Sequence, residues 1–131
     1  MNLDGRTLAR LTGGVLVTDG PAGPVATDSR ALAPGAWFVA LVGDTHDGHA
    51  FLAAAREAGC AGAVVSADPP PGWDCGLIRV PDTLRALQDA ASGIRRVFLG
   101  PVAGVTGSVG KTTTRALAAL ALGASGPVHA T

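Results

Sequence analysis

The run Thr106-Gly107-Ser108-Val109-Gly110-Lys111-Thr112 combines the residue types that hold a phosphate chain. Two glycines let the backbone turn tightly and bring several N–H groups to one point without a Cβ clash. A helix predicted from Lys111 onward turns its positive end toward the bound anion. Lys111 has the reach for the β and γ phosphates, and the Thr112 hydroxyl suits Mg²⁺. The longer GxxxxGK[ST] form would need glycine at position 105, which is Val105, so the pattern is the shorter TGxxGKT. The bland alternative is a glycine-rich turn that happens to carry a lysine. The coincidence of an expected strand, a loop, "GKT" and an expected helix argues against it. By itself the loop points to a nucleoside triphosphate and to no particular reaction.

The elements that must position this loop follow from local pattern. "GRTLARL" reads as a short helix stopped by Gly13 and Gly14, and "GVLVTDG" as a strand closed by a turn. "PVATDSR" is a second extended piece, and a Pro-Gly turn precedes a strand from Trp37 to Leu41. The polar loop "VGDTHDGHA" leads into a helix, "AFLAAAREAG", with Gly59 as its stop. "AGAVVSA" and "GLIRVP" read as strands on either side of a proline-rich loop, and "DTLRALQDAASGIRRVF" as a helix capped by Asp82 or Thr83. "VAGVTG" is expected to be a strand, "KTTTRALAALAL" a helix, and "VHAT" the start of one more strand. Strands alternating with helices give an α/β class with a parallel or mixed sheet. A boundary is expected near Pro81: residues 1–81 form a small mixed α/β domain, and residues 82–131 a linker helix plus one strand–loop–helix that cannot close a sheet of its own.

Composition narrows the function classes. The chain has 131 residues, 47% hydrophobic and 15% charged, with zero formal net charge. It has no basic footprint for nucleic acid and no polybasic patch for a membrane surface. "ALAALALGA" is too short to span a bilayer, and the N-terminus does not read as a signal peptide. Cys60 and Cys75 lie in no CxxC pair and read as reduced thiols. A soluble, cytoplasmic protein is expected.

The loop TGSVGKTTT resembles the ATP loop of the Mur ligases, which build the peptide of bacterial peptidoglycan. The upstream segment resembles the same family: an Asp-Ser-Arg turn, Pro-Gly, an "FVALVG" strand, an Asp-Gly-His loop, then a helix and a "GAVV" strand, in that order. "VPDTLRALQDAA" is similar to the family's bridge to its ATP domain, so the resemblance covers nearly the whole chain. It implies that ATP, with Mg²⁺, phosphorylates the carboxylate of a UDP-MurNAc-peptide and that an amine then displaces the phosphate. Thr106, Gly107, Ser108, Val109, Gly110, Lys111, Thr112 and Thr113 would bind ATP, with Lys111 catalytic and Thr112 holding the metal. Ser29, Arg30, Asp47, Gly48 and His49 would contact the UDP end of the substrate.

Within the family, "TGSVGKT" and "LARLTGGVL" are most similar to the branch that adds D-alanyl-D-alanine to UDP-MurNAc-tripeptide; the branch that adds the third amino acid stays open as an alternative. A non-catalytic uridine-nucleotide module and an unrelated phosphate-loop NTPase are the other readings. The family's central domain would break off after one strand–loop–helix. The resemblance therefore implies a partial chain, monomeric and inactive alone, whose phosphate loop lacks neighbouring strands.

Simpler roles compete at each substrate-side residue. Asp28 and Ser29 suit a turn cap, and Arg30 a solvated charge. His46 and His49, with Asp44 and Asp47, suggest a metal site, but HxxH on a loop reads better as a polar turn.

Overall fold

A computed structural model describes residues 1–130 as two compact units, residues 1–98 and 99 onward. The first holds helix α1 (Gly5–Thr12), strands β1 (Val15–Thr18), β2 (Val25–Ala26) and β3 (Trp37–Val39), helix α2 (Leu52–Glu57), strands β4 (Gly62–Val65) and β5 (Gly76–Arg79), and helix α3 (Thr83–Val97). The strands form one sheet in the order β1-β5-β4-β3-β2. The β2–β3, β3–β4 and β4–β5 pairs are parallel, and β1 joins β5 antiparallel at the edge.

Side-chain alternation divides the core. Trp37, Val39, Val64 and Ile78 point to one face of the sheet, where Leu8 and Ala9 of α1 and Ala86 and Ala90 of α3 cover them. Phe38, Ala63, Val65 and Leu77 point to the other, against Leu52 and Ala55 of α2. The inner strands are therefore apolar on both faces, as expected where helices cover both sides of a parallel sheet. Trp37 anchors the first face. It is fully buried, its indole N–H donates to the Pro21 carbonyl at 2.9 Å, and its ring lies on Gly62 and Gly76. A Cβ on Gly62 would meet the ring at 2.4 Å, so only glycine admits the indole there.

Local chemistry sets the element ends. Asp4 and Asp82 accept the backbone N–H of Thr7 and Arg85 and cap α1 and α3. Gly13 and Gly59, at φ 66° and 75°, end α1 and α2 in the left-handed region. Helix α3 belongs to the first compact unit, which runs to Phe98. The reason is tertiary: the α3 stripe of Ala86, Ala90 and Ile94 covers the same sheet face as α1, and Gly93 lets Leu11 approach closely.

The second unit contains helix α4 (Lys111–Gly123), with no buried residue. The strand expected over "VAGVTG" is absent, as is one over Val128–Ala130; Thr131 of "VHAT" lies outside the described residues. A strand needs a hydrogen-bonded neighbour, and this unit has no other strand among its described residues.

Candidate functional site

Loops following the parallel strands gather at the C-terminal edge of the sheet, where open α/β sheets hold ligands. After β2 comes the Asp-Ser-Arg turn. Asp28 accepts the Arg30 backbone N–H at 3.0 Å, and the Arg30 guanidinium folds back on both Asp28 oxygens at 3.0 and 2.8 Å. The guanidinium and then the amide of Arg30 pull the Asp28 carboxyl down from its ordinary 3.8 to about 2. Asp28 is thus the turn cap that its residue type suggested. Arg30 stays highly exposed, with its charge matched inside the turn.

After β3 comes the Asp-Gly-His loop. Asp47 accepts the His49 N–H at 2.9 Å, and its carboxyl is lowered first by that bond and second by the His49 ring. His49 Nδ1 meets Asp47 at 2.6 Å, while Nε2 accepts the backbone N–H groups of Ser66 at 3.0 Å and Ala67 at 3.2 Å. Two donors aimed at Nε2 require its lone pair, which places the ring proton on Nδ1. His49 therefore ties the loop to the end of β4. Gly48 presses on the chain end of β3: its N–H donates to the Leu41 carbonyl at 2.7 Å, and a Cβ would meet Ala40 C and Leu41 N at 2.7 Å.

Between the two loops lies an open hollow of about 490 Å³, bordered by Ser29, Arg30, Gly48, Phe38, His46 and Phe51 among others. Of the five residues expected on the substrate side, Ser29, Arg30 and Gly48 border it. Asp47 and His49 are not among its lining residues; they bond to each other, and His49 also accepts the backbone N–H groups of Ser66 and Ala67. Phe38, Leu41 and Phe51 were not singled out from sequence, because apolar loop-flanking residues look like core. His46, considered only as a metal ligand, borders the hollow with its Nδ1 at 2.7 Å from Thr45 Oγ1. Among the described residues no group of three His, Cys, Asp or Glu side chains comes together that could hold a metal ion.

The phosphate loop lies in the second unit. Gly107 and Gly110 have φ values of 150° and 81°, which glycine adopts without strain. Gly110 caps α4 without a side-chain hydrogen bond. Lys111 Nζ donates to the Gly107 carbonyl, curling its charge over the loop. Residues 106–113 are all exposed. Open helix-end amides beside a lysine and a free hydroxyl suit a phosphate chain with its Mg²⁺.

No family model matches the chain. It is 47% identical over 109 residues to the UDP-N-acetylmuramoyl-tripeptide–D-alanyl-D-alanine ligase of Synechocystis sp., covering 82% of this chain and 24% of that protein. It is 40% identical over 114 residues to the UDP-N-acetylmuramoyl-L-alanyl-D-glutamate–2,6-diaminopimelate ligase of Chlorobium phaeobacteroides, covering 81% and 22%. Among solved structures, MurF from Acinetobacter baumannii matches with a TM-score of 0.79 and 29% identity over 95% of this chain and 28% of that one. The Thermotoga maritima MurF ligase, solved in complex with ADP, matches with a TM-score of 0.63 and 29% identity, over 76% and 23%. The chain thus spans about a quarter of the length of the curated relatives it matches.

Proposed function

Because the chain belongs to the Mur ligase family, we propose that it serves the ATP-dependent addition of D-alanyl-D-alanine to UDP-MurNAc-tripeptide. The observation that carries this reading is the hollow between the Asp-Ser-Arg turn and the Asp-Gly-His loop, built where α/β sheets bind ligands. Its mixture of aromatic wall, hydroxyl and backbone donors suits the uridine end of the substrate. A relative of the same branch, similar over 82% of this chain, favours D-alanyl-D-alanine as the amine. The similarity to a diaminopimelate-adding ligase keeps addition of the third amino acid as the second reading.

In this reaction the amides of residues 107–112 receive the ATP phosphates, and Lys111 leaves the Gly107 carbonyl to meet the β and γ groups. Bound Mg²⁺ would neutralise phosphate charge, with the Thr112 hydroxyl as its ligand. The substrate carboxylate attacks the γ phosphorus and ADP departs. The incoming amine then displaces phosphate from the resulting acyl phosphate, forming the amide.

Binding and reaction are tested separately. Uridine diphosphate added to the ¹⁵N-labelled chain is expected to move the amides of Ser29, Arg30 and Gly48. Amides that stay still at saturating nucleotide would rule out the uridine site. In a ligase carrying this segment at the length of its relatives, phosphate release should depend on D-alanyl-D-alanine. Release only with a single amino acid would select the other branch.

A further inference from the structure

Cys60 and Cys75, the two cysteines of the chain, are free thiols that meet on the α2 face of the sheet. Cys60 closes the turn between α2 and β4, where its N–H donates to the Ala55 carbonyl at 3.1 Å. Cys75 stands one residue ahead of β5. Their backbones are held side by side. Gly62 pairs with Gly76 in the parallel ladder, and the Gly76 N–H donates to the Ala61 carbonyl at 2.9 Å. The Arg56 guanidinium, near the end of α2, binds both Asp74 oxygens at 2.8 and 3.1 Å. Cys60 is 7% exposed in the cluster of Leu52, Ala55, Ala63 and Leu77, and partly buried Cys75 packs against that cluster. Burial first, and then the neighbouring Cys75 through its charge and a side-chain hydrogen bond, push the Cys60 thiol up to about 12.

A disulfide spans Cα atoms about 4.4–6.8 Å apart. Extending the ladder by one residue sets Ala61 opposite Cys75, so Cys60 is its diagonal neighbour. Strand spacing and rise make such a diagonal about 6 Å. We propose that Cys60 and Cys75 are a reversible redox pair that closes to a disulfide when the protein meets a small-molecule disulfide. Cys75, the more open thiol, gives its proton to solvent and attacks one sulfur of the oxidant. The oxidant S–S bond breaks, and its other half leaves as a thiolate and takes up a proton. The Cys60 sulfur then loses its proton and attacks the Cys75 sulfur, expelling the second half as a thiol. Two protein thiols and one small disulfide become one protein disulfide and two small thiols. Burial keeps Cys60 from meeting the oxidant itself, while its place beside Cys75 makes its own step intramolecular. The closed loop contains β4 and the Ser66 and Ala67 amides that hold His49, so the bond staples the segment to which the Asp-Gly-His loop is tied. The pairing rests on the sheet and not on the uridine or ATP reading.

Oxidised glutathione added to the folded chain, followed by alkylation and mass spectrometry, provides the test. The chain should lose the mass of two hydrogen atoms, yield a peptide joining Cys60 to Cys75, and return both thiols in dithiothreitol. In glutathione buffers, half-oxidation of the folded chain should need about tenfold less oxidising conditions than that of the urea-unfolded chain. The oxidised form should accordingly unfold at higher urea. Cys60→Ala should stop at a glutathione adduct on Cys75. Cys75→Ala should leave Cys60 unreactive until urea unfolds the chain. A wild-type chain that keeps a glutathione adduct on Cys75 with Cys60 still alkylatable in urea would overturn the proposal. So would no reaction of the folded chain, disulfides only between copies, or the same half-oxidation point folded and unfolded.

Discussion

At the scale of single residues, His49 and Arg30 act on the protein before they act on any ligand. Both His49 ring nitrogens are taken, one by Asp47 and one by the amides of Ser66 and Ala67. Replacing it with alanine strands those two N–H groups and frees the loop. His49→Ala should lose roughly 1–3 kcal/mol in urea denaturation, and its amides from Asp47 to Phe51 should broaden or shift. Arg30→Ala tests the turn differently. Folding lowers the Asp28 pKa, so the turn's stabilising contribution is complete above 3.8 and fades as the pH falls toward about 2. An NMR titration of the Asp28 carboxyl carbon should move upward toward 3.8 in Arg30→Ala. A midpoint still near 2 would mean that the backbone amide alone lowers it.

At the scale of elements, the short helical turn at Gly48–Phe51 shows how tightly the loops at the sheet's edge are built against the strands. Gly48→Ala puts a methyl into the backbone of Ala40 and Leu41, at 2.7 Å from both. It should cost about 1–3 kcal/mol in thermal unfolding and weaken uridine nucleotide binding together with stability. Elements whose causes are local were legible in the sequence. Asp82 ahead of an apolar stripe marked α3, Gly13 and Gly59 marked helix ends, and "GAVV" marked a strand buried on both faces. Relations between distant segments were not. The "VAGVTG" run has strand-forming residues, yet pairing decides whether a strand exists, and its own unit offers none among the described residues. The bonds from His49 to Ser66 and Ala67 join loops seventeen and eighteen residues apart in sequence. The packing of α3 beside α1 likewise needed the sheet between them to be visible. The Asp-Ser-Arg and Asp-Gly-His motifs mark the two loops that border the hollow. Only the geometry separated Ser29, Arg30 and Gly48, which border the hollow, from Asp47 and His49, whose bonds tie the loop to itself and to the residues after β4.

At the scale of the molecule, the two units differ in what holds them. Residues 1–98 enclose apolar clusters on both sheet faces, whereas α4 buries nothing. A lone helix of α4's length is marginal in water, since nucleation outweighs so few hydrogen bonds. A protein cut to residues 1–98 should keep the cooperative unfolding of the whole chain, with superimposable ¹⁵N–¹H spectra for its amides. A separate peptide of residues 99–131 should show weak helical circular dichroism. Noncooperative melting of the shorter protein would mean that the sheet depends on the second unit. No helix among the described residues is long and apolar enough to cross a membrane, so α4 is not a spanning segment.

The indole of Trp37, sealed on its glycine floor, gives this protein a built-in optical gauge. Its light should emerge blue-shifted and resist acrylamide, while that of half-buried Trp73 should be redder and readily quenched. A guest entering the hollow should leave the blue component in place, and only collapse of the sheet should bleed it into the red.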